Sequence, residues 1–143
     1  MITYWSASFI SVLMTWFVTH IKQKNNRFYL PMAAFFSSFP LIFISAIRYN
    51  VGADYMPYYR YYMDVIAGAG QGRFEILYYG LNLCLAFFNM DFPWLFFFVA
   101  VLFLCPIYIR LIEDSPYPGI SAFLIVGMTY YFYFLNGARQ MIA

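Results

Sequence analysis

Apolar and polar positions divide this chain into five long charge-free stretches separated by three short polar joints and one longer insert. The stretches cover residues 1–21, 28–47, 76–90, 92–109 and 115–138, with lengths of 21, 20, 15, 18 and 24 residues. A helix rises about 1.5 Å per residue and the hydrocarbon core of a bilayer is about 30 Å thick, so about 20 residues cross it. Four of the five stretches reach or approach that length. The pattern predicts an all-α, polytopic transmembrane helix bundle. It would hold four to five membrane segments in one domain, residues 1–143. The expected spans are 2–20, 30–47, 94–109 and 119–135. Segment 74–90 is the weakest, because its charge-free part reaches only about 23 Å.

Between the second and third stretches lies a polar insert, residues 48–75. Within it Tyr55, Tyr58, Tyr59, Tyr62 and Ile66 recur at helical spacing, with Arg60 and Asp64 four apart on another face. This predicts one interfacial amphipathic helix with its aromatic side toward lipid or partner helices. Asp54 is placed to cap it, Pro57 is tolerable in its first turn, and Gly68, Gly70 and Gly72 form a hinge after it. Pro40 falls inside the second span and should kink it, with the Ser37 and Ser38 hydroxyls available to the freed backbone. Residues 89–93 read as a tight turn and residues 110–118 as a mixed-charge loop.

Composition settles the class. Of the 143 residues 64% are hydrophobic, 25% aromatic and 10% charged, where a soluble domain carries about 25% charged residues. Net charge is only +2, with no basic stripe, which excludes nucleic acid as a partner and leaves the lipid bilayer. Cys84 and Cys105 lie in apolar stretches outside any metal-ligand spacing and read as small buried hydrophobes. His20, the single histidine, excludes a multi-histidine metal site and sits at a helix end with an interfacial role.

No Lys or Arg precedes the first apolar stretch, so it reads as an uncleaved helix with Trp5 and Trp16 near its ends. Lys22, Lys24 and Arg27 follow it, which places that loop in the cytoplasm and the N-terminus outside. Beyond this loop the cations balance and two topologies stay open: 74–90 crosses, or it re-enters and leaves both polar motifs outside. The last residues resemble the opening of another apolar stretch, so the chain is expected to be the N-terminal part of a longer protein.

Chemistry concentrates in two places. Arg48 and Asp54 flank Gly52 just beyond the second span. The bland reading is a snorkelling arginine and a capping aspartate. The functional one uses the planar guanidinium fork, which grips phosphate oxygens bidentately. Arg48, Arg73 and Arg139 would together hold a diphosphate at the bilayer surface, and Asp54 or Glu75 would take a proton from an attacking hydroxyl. Arg139 and Gln140, followed by a returning apolar run, form a second polar cluster with Asn136.

Arg48, Val51, Gly52, Asp54, Tyr55 and Tyr58 resemble the R-x-x-V-G-x-D-Y-x-x-Y signature of the EpsG family. That family comprises Wzy-like exopolysaccharide and O-antigen repeat-unit polymerases. The run from Phe74 and Glu75 through Tyr79 to Asn82 is similar to its E-x-x-Y-x-x-L-N segment. Asn136, Arg139, Gln140 and Ala143 look like its N-x-x-R-Q-x-x-A segment. The resemblance implies a bacterial inner-membrane polymerase whose substrate is an oligosaccharide on polyprenyl diphosphate, displayed on the outer leaflet. One glycan's terminal hydroxyl attacks the anomeric carbon of another, and the lipid diphosphate leaves. No metal or other cofactor is implied. Arg48 and Arg139 would grip diphosphate, and Asp54 would position the acceptor or act as base. Tyr55 and Tyr58 would contact sugar, with Arg73, Glu75, Asn136 and Gln140 as further substrate contacts. Other polysaccharide-assembly membrane proteins are the implied protein partners. The competing class is a non-enzymatic export subunit or small-solute transporter.

Overall fold

A computed structural model describes residues 2–21, 28–49, 54–69 and 76–137 of the chain, with the side chains of 134 and 136 excluded. These residues form seven helices: α1 (Ile2–His20), α2 (Tyr29–Ile47), α3 (Tyr55–Ile66), α4 (Ile76–Phe87), α5 (Pro93–Asp114), α6 (Pro118–Gly127) and α7 (Tyr130–Asn136). There is no strand among the described residues. Helices α1, α2 and α5 are long and apolar enough to cross a membrane, and α4 and α6 are shorter apolar helices. The protein is an all-α membrane helix bundle. The basic loop at 22–27 and the glycines at 70 and 72 lie outside the described residues.

Helix α2 packs between α1 and α5, and α6 lies against α1. The interfaces are built from small residues. The buried positions of α1 are Ala7, Ser8, Ser11 and Thr15, while Phe9, Ile10, Leu13 and Phe17 face outward. On α2 the buried set is Ala33, Ala34, Ser37, Ser38, Leu41, Ile42 and Ser45. Lipid tails are as apolar as leucine, so burial of large side chains gives little force between helices there. Close backbone approach and hydrogen bonds hold them instead. One serine ties three helices together: the Ser11 hydroxyl donates to the Ser37 carbonyl of α2 (2.7 Å) and shares a bond with the Tyr108 hydroxyl of α5 (2.5 Å). Ser11→Ala is therefore expected to lower stability by about 1 kcal/mol, read by reversible unfolding in bicelles.

Several expectations need correction. Helix α2 runs through Pro40, but the serines do not replace the lost amide bond. Proline leaves the Phe36 carbonyl without its partner. Ser38 donates instead to Ala34 (2.8 Å) and Phe35 (3.2 Å), and the Ser37 hydroxyl has no hydrogen-bond partner. Helix α5 continues to Asp114, so residues 110–114 are helical rather than loop. Arg110 lies 3.7 Å from both Glu113 and Asp114, exposed pairs that sit naturally on one more helical turn. Cys84 is exposed on the outer side of α4, not buried.

The expected last span, 119–135, is broken into α6 and α7. Thr129 adopts φ 64°, and its amide bonds back to the Val126 carbonyl, ending α6. The Thr129 carbonyl then accepts from the amides of Phe132 and Tyr133, starting α7. Left-handed backbone is strained for a β-branched residue and persists only where the surroundings impose it.

The insert folds as expected in kind but with a rotated face. Tyr55, Tyr58, Tyr61, Tyr62 and Val65 are buried, whereas Tyr59 and Ile66 are exposed. The buried side meets α4 and the start of α5 rather than lipid. Gly68, at φ 76°, closes α3: its amide bonds to the Val65 carbonyl and that of Ala69 to Asp64. Asn89, at φ 51°, closes α4 in the same way through Ala86 and Leu85, which confirms the tight turn before α5. The Tyr62 hydroxyl donates to the Met90 carbonyl within that turn. Among the described residues helix α4 has 12 residues, about 18 Å of rise, shorter than the hydrocarbon core is thick.

Candidate functional site

Arg48 ends α2 in extended backbone (φ −60°, ψ 133°) and turns its side chain inward, so that only 6% of it is exposed. The guanidinium carbon sits 3.8 Å above the centre of the Phe96 ring of α5. Its Nη1 donates to the Leu135 carbonyl of α7 at 2.7 Å, and its Nε has no hydrogen-bond partner. Burial pushes the arginine pKa down from its ordinary value, while the surrounding phenols of Tyr131, Tyr4, Tyr58 and Tyr55 act the other way. Guanidinium stays protonated through such shifts. A cation over a π face gains more when desolvated than when exposed.

The aromatic wall around it comes from five helices, α1, α3, α4, α5 and α7. Tyr55 stacks on Phe96 (5.6 Å between centres, 27°) and meets Phe92 edge-on (5.5 Å). Tyr58 meets Phe96 at 6.1 Å and Tyr78 of α4 at 5.8 Å, and Tyr61 stacks on Tyr78. Burial raises the Tyr55 phenol pKa, with the Arg48 charge opposing. On the far side Tyr131 donates to the Leu41 carbonyl of α2 (2.7 Å), and Tyr4 of α1 packs against Tyr131 and Phe132. The start of α1, the end of α2, the start of α5 and the whole of α7 thus meet at one end of the bundle.

The structure treats the expected site residues unequally. Arg48, Tyr55 and Tyr58 are brought together, but the rings of Tyr55 and Tyr58 are occupied by protein neighbours. Asp54 holds the N-cap position of α3 half-buried, yet its side chain makes no cap bond; only its carbonyl is used, by the Tyr58 amide at 3.1 Å. No Arg48–Asp54 ion pair occurs. Arg73, Glu75, Arg139, Gln140 and the Asn136 side chain lie outside the described residues, as does Gly52. Leu135, bound by Arg48, stands four residues before Arg139.

Sequence reading missed Phe96, Tyr61, Tyr78 and Tyr131. Phe96 lies inside a charge-free span where nothing distinguishes it from Phe97 and Phe98. Tyr78 is legible in principle, because it stands three residues after Glu75, as the E-x-x-Y pattern requires, and lies on the same face as Asn82, four residues on. Asn82 is fully buried, its amide nitrogen donating to the Tyr78 carbonyl (2.7 Å) and its amide oxygen unpartnered.

Arg48, Tyr55 and Tyr58 of the first polar segment (48–58), Tyr78 of the second (74–82), and Leu135, the residue before the third (136–143), therefore meet in one aromatic cluster around a buried cation. Neither a curated protein nor a solved structure matches the chain. The EpsG family is matched over residues 32–143, a region that takes in all three segments and leaves out α1. The chain belongs to the EpsG family.

Proposed function

We propose that this chain carries part of the catalytic centre of a membrane polymerase that joins oligosaccharide repeat units borne on polyprenyl diphosphate. The single observation that supports it best is the Arg48–Leu135 bond, which ties the first family segment to the residue immediately before the third. A shared pocket requires that. The side is the outer face of the bacterial cytoplasmic membrane. Cytoplasmic placement of the basic loop at 22–27 puts the start of α1 outside, and Tyr4 lies with the cluster. The shortness of α4 fits an insert that does not cross.

In the reaction an acceptor hydroxyl attacks the anomeric carbon of a second glycan. The bond from that carbon to the diphosphate oxygen breaks, and the electron pair leaves with the lipid diphosphate. Positive charge fixed where negative charge grows lowers the barrier, and Arg139 and Arg73 are the groups assigned to it. Asp54 takes the hydroxyl proton, with Glu75 as the second candidate base. Asn136 and Gln140 offer amide groups to the glycan, and Tyr55 and Tyr58 form the wall behind it.

Glycan chain length tests this in cells that depend on the complete natural protein. Asp54→Asn and Arg139→Ala are each expected to leave single repeat units in place of polymer. Loss of a general base or an electrostatic stabiliser of this kind costs about 100-fold or more in rate. Polymer of normal length from both variants overturns the assignment.

A further inference from the structure

Arg48 is the most obvious candidate to grip a diphosphate, and its surroundings argue for a different task. Its guanidinium has one face on Phe96 and one terminal nitrogen on the Leu135 carbonyl, and it is buried. That carbonyl belongs to the last turn of α7, where an α-helix leaves its carbonyls without amide partners. Were α7 to continue, the partner would be the amide of Arg139, four residues on. Arg48 takes that place, as basic side chains do at helix C-termini. A second bond of the same type holds the other end of α7: Tyr131 donates to the Leu41 carbonyl. Leu41 and Arg48 are seven residues apart on α2, and Tyr131 and Leu135 are four apart on α7. Two rungs therefore fasten a short helix that strained backbone at Thr129 has separated from α6.

We infer that Arg48 is a positioning residue: it caps α7 at Leu135 and so sets where the segment bearing Asn136, Arg139 and Gln140 begins. The inference rests on the polymerase reading for its functional consequence, but its geometry stands apart from it. Tyr131 shares the task and cannot reach a substrate, since it is fully buried with its hydroxyl on a backbone carbonyl.

The test uses the complete natural protein in nanodiscs, with Cys84→Ser and Cys105→Ala, and spin labels at Tyr133→Cys on α7 and Glu113→Cys at the far end of α5. Wild type should give one narrow interspin distance. Arg48→Ala and Tyr131→Phe should each broaden it, and Arg48→Lys, which keeps a donor but not the fork, should restore it in part. With a lipid-linked repeat unit as substrate, turnover in Arg48→Ala should fall about 100-fold, the loss that a misplacement of roughly 1 Å produces. KM should change by less than about threefold, and Tyr131→Phe should move the same parameter in the same direction. Tyr131→Phe keeps its ring packing and guards against a variant that fails to fold. An unchanged distance in Arg48→Ala together with a raised KM overturns the inference, because that is the behaviour of a residue contacting substrate. Absence of polymer from the wild-type protein overturns the polymerase reading instead, and the distances then decide the docking role alone.

Discussion

Phe96→Ala is expected to remove about 4 kcal/mol of stability, within the range for deleting a buried aromatic ring. Total stabilities run at about 5–15 kcal/mol, so a fold at the lower end would be largely lost. The reasons are local. Phe96 is buried and touches Phe92 edge-on at 4.9 Å, Tyr55 and Tyr58 of the insert, and the Arg48 guanidinium. It joins the membrane bundle, the insert helix α3 and the buried cation. Removing it leaves a cavity and strips Arg48 of its apolar support. Phe96→Leu separates the two effects. Leucine refills most of the volume but offers no π face, so the loss should shrink to about 1–2 kcal/mol, the range of a desolvated cation–π contact. Unfolding free energies in bicelles measure both. Equal losses for Ala and Leu would show that the ring–cation contact, not volume, carries the position.

How far the sequence discloses this arrangement depends on what kind of force shapes each part. The spans α1, α2 and α5 follow from length and hydropathy, because an unsatisfied backbone is intolerable in lipid and only a long apolar helix removes the problem. Helix α3 follows from its tyrosine spacing. The break at Thr129 does not, since apolar residues run on both sides of it and a φ of 64° leaves no mark in hydropathy. The face of α3 is rotated from the one its spacing predicts, with Tyr61 and Val65 covered in place of Tyr59 and Ile66. Tyr59 and Tyr61 are chemically equal, and only the location of α4 and Phe92 decides which is covered. At the site, Arg48 and Asp54 stand out because charge next to a span is unusual. The ring cluster that receives Arg48 is built from residues indistinguishable from an interfacial aromatic belt. Polar outliers in an apolar sequence can be found by inspection, whereas their apolar partners need the fold.

Small residues line the facing sides of α1 and α2, and Ser37 shows what they are for. Ser37→Ala is expected to change stability by less than about 0.5 kcal/mol, because the buried hydroxyl has no partner to lose. Ser37→Leu is expected to cost about 3 kcal/mol, the upper range for overpacking. Position 37 is fully buried beside α1, and its carbonyl accepts the Ser11 bond that also engages Tyr108. A leucine there pushes α1 from α2 and breaks that three-helix tie along with the close backbone approach. The four-residue spacing of Ala7, Ser11 and Thr15 on one side, and of Ala33, Ser37 and Leu41 on the other, makes the damage propagate along both helices. The pair of variants is read in the same bicelle unfolding assay. If Ser37→Ala proved as harmful as Ser37→Leu, hydroxyl chemistry rather than size would govern the interface. The expected contrast instead assigns these serines to spacing: α1 and α2 come close because little stands between them, and that closeness carries Tyr4 to Tyr131 and holds α7 within reach of Arg48.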